Sequence, residues 1–430
     1  MNHDLISNPK SNSVVVGRPR LFMVVVSLLV VLFVTSLVYG LRSGDWLRYP
    51  DEKEYHRLAL ALTNGQGYVD PYMKPTAYRP PGYPFLISIV YGCSQHPTII
   101  KALNSIFLLL SSVIAFFICQ RISINSGIFC LIIICIYPIF LYSSAILYPQ
   151  IYGSLLFLIV LLLVFSYPQK PVVIFSAGLI FGILVLTIPA FLLILPLLLF
   201  CLFRLTTGRM RMISVSIFVL VPLCVITPWS IRNYHQLGGF VLISSNSGLN
   251  LLVGNSENTS ANSGVNVDIS EFHRLAEDMD EVDRDRFFRS QALTWIRENP
   301  TRSVVLYAKK VLNYFNFRNE LWTESEGSDI RWFFSALSYY PLLIIALIRL
   351  AFLKKWPFVA FEGWLFFFYF GNAFVSAIFF TRIRFRIPFD FLLVCIAAIF
   401  LARIWALIRR RWARDSDHDG TDLTARTVER

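Results

Sequence analysis

Apolar runs of about 20 residues recur along this 430-residue chain, the length a helix needs to cross the hydrocarbon core of a bilayer. They fall near 21–41, 98–118, 128–147, 150–167, 172–187, 190–203, 212–227, 332–350, 356–378 and 387–406, which predicts about ten spans. Lipid offers the backbone no hydrogen bonds, so such runs fold as helices that satisfy their own amides. Composition agrees, with 56% hydrophobic residues and 15% charged, against roughly 25% charged in soluble domains. The predicted class is an all-α polytopic membrane protein. Between Lys170 and Arg204 the pattern fits either two short half-helices or a re-entrant hairpin.

Charge sets the orientation. The first run follows Arg18 and Arg20, is too long for a signal-peptide core and lacks an A-x-A site, so it reads as an uncleaved anchor. Short loops with Arg121, Lys170, Arg204, Arg209, Arg211, Lys354 and Lys355, and the run Arg409–Arg411, are cytoplasmic by the positive-inside rule. The net charge of +12 is thus explained by topology, not by nucleic acid. The predicted organisation is a disordered cytoplasmic tail (1–20), then a transmembrane region (21–227) interrupted by an external loop (42–83). An external segment (228–331), a second transmembrane region (332–406) and a cytoplasmic tail (407–430) follow. Both termini are expected in the cytoplasm.

Both external segments carry helical patterns. Tyr55, Leu58, Ala59 and Leu62 fall at i, i+3, i+4 and i+7, and Gly65 and Gly67 stop the pattern, predicting a helix in the interface plane. In the second segment Pro228 and Trp229 mark the interface, Phe240–Ile243 reads as a short strand, and Gly248 and Gly254–Asn255 read as turns. Ser256–Gly264 reads as a mobile polar loop. An acidic helical pattern from Asp268 to Glu298 ends at Pro300, and 301–318 forms a second interfacial amphipathic stretch. No internal repeat of the transporter kind is visible. Seven cysteines stand singly without C-x-x-C, and no metal-binding or nucleotide fingerprint occurs. No disulfide framework, metal or cofactor is expected.

The first loop holds the most informative charges. Asp51-x-x-Glu54 before an apolar-periodic helix is a capping box. A carboxylate fixed there also keeps a lone pair that can take a proton. Arg79 leads into Pro80-Pro81-Gly82-Tyr83-Pro84, whose fixed backbone aims Arg79 and Tyr83. Arg79, like Arg232, fits either an interface anchor or a phosphate or sugar contact. Arg382, Arg384 and Arg386 precede the last run on the side where positive charge is unexpected. They fit either snorkelling and pairing with Asp390, or neutralisation of a phosphate by the planar guanidinium fork. Lys101, Asn104 and Glu362 lie in or near spans and must face protein or water.

Taken together, Asp51-Glu52-x-x-Tyr55, Gly65-x-Gly67-Tyr68, Pro75-Thr76-Ala77-x-Arg79-Pro80-Pro81-Gly82-Tyr83-Pro84, Pro228-Trp229-x-Ile231-Arg232-Asn233-Tyr234, Asn246-x-Gly248-x-Asn250-Leu251-x-x-Gly254-Asn255 and Arg384-Phe385-Arg386-Ile387-Pro388 carry a family likeness. Over most of 20–405 the chain resembles bacterial enzymes of the glycosyltransferase C superfamily, nearest the protein O-mannosyltransferase-like and lipid A aminoarabinose transferase-like members. The resemblance implies transfer of a sugar, with inversion, from a polyprenyl-phosphate carrier to an envelope acceptor at the periplasmic face of the inner membrane. The acceptor would be a glycolipid, polysaccharide or protein. Asp51 is the implied general base, with Glu52 next. Arg384, Arg386 and Arg79 are candidates for the donor phosphate, and Tyr55, Tyr83 and Arg232 for sugar or acceptor. Two positions depart from the pattern: Gln150, where many relatives carry a second acid, and Thr187-Ile188-Pro189, which lacks an arginine before the proline. A flippase of the same lipid and an inactive assembly subunit are the rival readings.

Overall fold

The computed structural model describes residues 19–264, 266–318, 329–359 and 361–427, with side chains as far as Trp412. The disordered tail expected before Pro19 lies outside the described residues. Apart from one isolated bridge between Val69 and Pro75, the regular elements described are helices. In chain order α1 (Pro19–Arg42) leads through α2 (Pro50–Thr63) and α3 (Gly82–Tyr91) to α4 (Pro97–Gln120). Then come α5 (Ile124–Ile136), α6 (Pro138–Ser144), α7 (Gln150–Ser166), α8 (Pro171–Thr187), a 3-10 turn (Pro189–Ile194) running into α9 (Leu195–Leu205), and α10 (Gly208–Leu237). A polar layer holds α11 (Ser247–Gly254), α12 (Ser270–Leu275), α13 (Glu281–Glu298) and α14 (Pro300–Asn313), and the chain closes with α15 (Asp329–Ala351), α16 (Glu362–Ser376) and α17 (Ile383–Thr427).

Five helices, α1, α4, α10, α15 and α17, are long and apolar enough to cross a membrane, and α5 with α6 make a sixth candidate bent by 64°. This is fewer than the run of apolar segments suggests, because α7 and α16 are only 17 and 15 residues long and prolines break two other segments. Tyr137 is extended (φ −94°, ψ 95°) ahead of Pro138, as the residue before a proline prefers. Ile188 is extended ahead of Pro189 in the same way, so 171–205 is two short helices.

α17 is the central post. Every residue from Arg386 to Phe400 is buried, and Phe391 stacks on Phe140 with ring centroids 4.0 Å apart. The polar groups it takes inward are paired. Arg386 Nε donates to Asp390 Oδ1 at 2.9 Å, and Tyr137 Oη donates to Asp390 Oδ2 at 2.9 Å. Further along α17, beside Arg403, Arg349 Nε meets Glu362 Oε1 at 2.7 Å.

The outer layer departs from its sequence reading in four places. α10 continues through Pro222 and Pro228 and stops only at Gly238, whose φ of +70° suits glycine. Its last turns then hold the following chain by its carbonyls. Trp229 Nε1 donates to Ile243 O (2.7 Å), Ser230 Oγ to Leu242 O (2.6 Å) and Asn233 Nδ2 to Val241 O (3.1 Å). Phe240–Ile243 is therefore irregular chain, bent at 242–243 and pinned by side chains, not a strand. Gly248 sits inside α11 rather than at a turn, while Gly254 ends that helix and Asn255 caps it, where a turn was expected. A Cβ on Gly248 would lie 2.0 Å from Asp285 O, and one on Gly254 2.0 Å from Phe379 O. Finally, Ser256–Gly264 is a set of linked turns, with Thr259 Oγ1 bonded to Val253 O (3.0 Å) and Ser263 Oγ to Ser260 O (2.8 Å).

Candidate active site

The site starts at the first turn of α2. Pro50 takes the first helical position and Tyr49 is the N-cap, which moves the capping box two residues toward the N-terminus from its expected place. The glutamate that reaches back to the cap is Glu52, not Glu54. Its Oε2 accepts from Tyr49 N and Arg48 N, both at 2.9 Å, and its Oε1 accepts from Leu147 N at 2.7 Å. Glu52 is 1% exposed, so this carboxylate is an anchor tying α2 to the chain between α6 and α7.

Asp51 is thereby released from capping. Its Oδ1 meets Arg79 Nη2 at 2.6 Å and its Oδ2 meets Arg384 Nη1 at 2.7 Å. Arg79 is held a second time, through Nε to Glu54 Oε2 at 2.6 Å. Arg384 has no second carboxylate among the described residues; its guanidinium lies 5.7 Å from the centroid of Tyr148 and 5.1 Å from that of Phe385. Burial opposes ionisation of Asp51, but the charges of Arg384 and Arg79 outweigh it and hold the carboxyl below the usual range. Burial pushes the Tyr55 phenol up to about 12, so it stays a neutral donor under Arg79, whose guanidinium is 5.6 Å from its ring centroid.

Asp51 and Arg384 both line a cavity of about 800 Å³. Arg331, Arg382, Arg386 and Gln150 join them, and Ile139, Leu141, Phe334, Ile383 and Ile387 supply apolar walls. A single ionised carboxylate thus faces several guanidinium groups beside a hydrocarbon-like surface. That combination suits a phosphate carried on an apolar chain.

The other predicted residues are placed differently. Arg386 is 1% exposed and committed to Asp390, to Tyr314 O and Asn316 O at 2.9 Å each, and to the face of Tyr339. The pairing alternative at i, i+4 is the one it adopts. Tyr83 is fully buried, edge-on to Tyr55 at 5.4 Å. Arg232 donates to Thr76 O (2.7 Å) and Tyr68 O (2.8 Å), shaping the loop that carries Arg79. Lys101 donates to Ser43 Oγ, Gly44 O and Trp46 O. Two partners went unpredicted. Glu54 lies three residues after Asp51 and could have been read from helical spacing; Tyr148 is brought in by the fold alone.

The fold also gathers what spacing could not show. The Sγ atoms of Cys119, Cys130 and Cys395, from three different helices, lie within 4.8 Å of one another and are sealed from solvent. The expectation that no metal-ligating group would form overlooked this cluster.

Solved structures place the architecture. The crystal structure of an Archaeoglobus fulgidus oligosaccharyltransferase, tethered to an acceptor peptide containing the NVT sequon, matches with a TM-score of 0.51 and 12% identity over 90% of this chain and 50% of that one. The chain shares the fold of that oligosaccharyltransferase. This chain spans about half the length of the archaeal enzyme. ArnT from Cupriavidus metallidurans bound to undecaprenyl phosphate also matches, with a TM-score of 0.42 and 13% identity over 88% of this chain and 76% of that one. No protein-family model and no curated protein matches the sequence.

Proposed function

We propose that this integral membrane protein is an inverting glycosyltransferase that moves a sugar from a polyprenyl-phosphate carrier to an envelope acceptor. The observation that carries the reading is the chain Glu54–Arg79–Asp51–Arg384, whose Asp51–Arg384 end lines a partly apolar cavity. An acceptor O–H gives its proton to Asp51 as its oxygen forms a bond to the anomeric carbon. The bond from that carbon to the carrier phosphate breaks, and its electron pair leaves on the phosphate. Arg384 is suited to receive that charge, being the partner of Asp51 with one carboxylate only. A phosphate drawing Arg384 away would also make Asp51 a stronger base. Glu54 keeps Arg79 in place meanwhile.

In this reading 42–83 and 228–331 are periplasmic, both termini are cytoplasmic, and the shorter apolar helices complete about ten spans in the inner membrane. The unrepeated architecture and the grouping of charge around one cavity favour an enzyme over a flippase. The test is sugar transfer or donor hydrolysis by the purified full chain in detergent, using polyprenyl-phosphate sugars with nucleotide sugars as controls. Turnover of nucleotide sugars alone would refute the proposal.

A further inference from the structure

Cys119 on α4, Cys130 on α5 and Cys395 on α17 are each fully buried in the apolar core, and their three Sγ atoms lie within 4.8 Å of one another. The packing of the three helices builds this meeting. One turn before Cys130, Gly127 lets α5 close on α4: a Cβ there would stand 2.7 Å from the ring of Phe116, itself one turn before Cys119. Cys395 comes from the stretch of α17 that is buried throughout. The other four cysteines stay apart. Cys93 and Cys224 are exposed, Cys201 is buried outside the group, and Cys135 turns to Leu28 O on α1 at 3.5 Å. The clustered thiols make only long contacts with oxygen, Cys119 Sγ to Cys395 O and Cys395 Sγ to Ala115 O, each 4.0 Å. No strong hydrogen bond holds the sulfurs away from a shared centre.

We propose that these three thiols bind one copper(I) ion. Sulfurs about 2.3 Å from a common centre stand about 4.0 Å apart in a plane, so side-chain adjustments of under an ångström close the group. Sulfur donors select soft cations, copper(I) among them. Zinc takes four ligands in closed structural sites, and no fourth histidine, cysteine or carboxylate joins this group among the described residues. A sealed apolar site also disfavours net charge. Copper(I) meets that condition by displacing one thiol proton to solvent as it enters, which leaves one thiolate, two neutral thiols and no net charge. The ion enters before α17 seals the group, and then pins that post to α4 and α5. Cys395 lies about 16 Å along α17 from Arg384 by the helical rise. The site is therefore separate from the main cavity and does not depend on the transfer reading.

The test uses the full chain without a polyhistidine tag, produced in copper-supplemented cells and purified anaerobically in detergent. Elemental mass spectrometry should find about one copper per chain, and X-ray absorption should place sulfur neighbours around it at about 2.3 Å. Bathocuproine disulfonate, a water-soluble copper(I) chelator, should leave the ion in the folded chain and capture it after unfolding in dodecyl sulfate. Cys119→Ala, Cys130→Ala and Cys395→Ala should each lower the retained copper by about tenfold or more, since changes merely beside a metal ligand already cost that much affinity. Cys201→Ala should keep it. An alanine variant that does not fold is replaced by Cys119→Ser, Cys130→Ser or Cys395→Ser, with the same expectation. Copper-free protein, zinc in its place, a disulfide among the three, or copper that the chelator strips from the folded chain overturns the site. Copper retained by all three alanine variants overturns it as well.

Discussion

Asp51 and Glu52 are neighbours with opposite duties, and isosteric amides should separate them. In Asp51→Asn one oxygen still accepts from an arginine, but the new Nδ2 turns an N–H toward the other guanidinium. Arg79 keeps Glu54, whereas Arg384 loses its only carboxylate among the described residues. The ion pairs are partly exposed, with Asp51 at 22% and Arg384 at 31%, so solvent screening limits the stability loss to about 0.5–2 kcal/mol. Turnover should nevertheless fall by about 10²–10⁴-fold, the usual contribution of a general base. Glu52→Gln should show the opposite balance. An amide nitrogen must face Leu147 N or the Arg48–Tyr49 pair, leaving at least one buried N–H without an acceptor. The cost is about 2–4 kcal/mol, with turnover per folded molecule largely kept. Thermal unfolding in detergent reads the first quantity, and carrier-phosphate release from a polyprenyl-phosphate sugar reads the second. Asp51→Asn at the wild-type rate would refute the base assignment. Glu52→Gln that is stable but inactive would transfer the role to Glu52.

The low Asp51 pKa has two consequences for pH. A depressed carboxylate contributes stability above its unfolded value of about 3.8 and loses it as pH falls through the folded value, so the stability gap between wild type and Asp51→Asn should close on acidification. In kinetics, the acid limb of kcat/KM, which reports the free enzyme, should lie below that of kcat, where bound phosphate has loosened Arg384; coincident limbs would contradict the exchange. Arg386→Leu leaves Asp390 buried with Tyr137 alone and should cost about 3–5 kcal/mol in thermal unfolding, far more than Arg384→Leu. Gly248→Ala forces a Cβ against Asp285 O and should cost about 1–3 kcal/mol or abolish stable insertion, whereas Gly44→Ala meets no atom within 4 Å. Its φ of +53° still makes the latter a mild loss. In a cysteine-free background, Gln66→Cys and Asn258→Cys should react with an impermeant thiol reagent in spheroplasts and Thr207→Cys should not; labelling at 207 alone would invert the orientation.

Much of the architecture was legible because apolar length and helical periodicity are local properties. Tyr55, Leu58 and Ala59 face inward on α2 as their spacing requires, and the alternative of Arg386 pairing with Asp390 was written at i, i+4. The capping register was misread because Asp51 looks like a cap, although Pro50 already marks the first helical position. Other features depend on what lies opposite in space. Gly248 and Gly254 are glycines because another backbone passes within 2.0 Å of where a Cβ would stand, and nothing local distinguishes that from a turn. The three clustered cysteines and the contact of Arg384 with Tyr148 likewise join helices far apart in sequence.

The bond between Asp51 and Arg384 spans 333 positions of the chain. During synthesis the acid therefore emerges with Arg79 close behind it, and long before Arg384. Until α17 threads between its neighbours, a half-made copy has Asp51 paired with Arg79 alone and no central post to hold the cavity open. On the proposed transfer reading, chains cut short before α17 should be inactive rather than slow hydrolases of the donor.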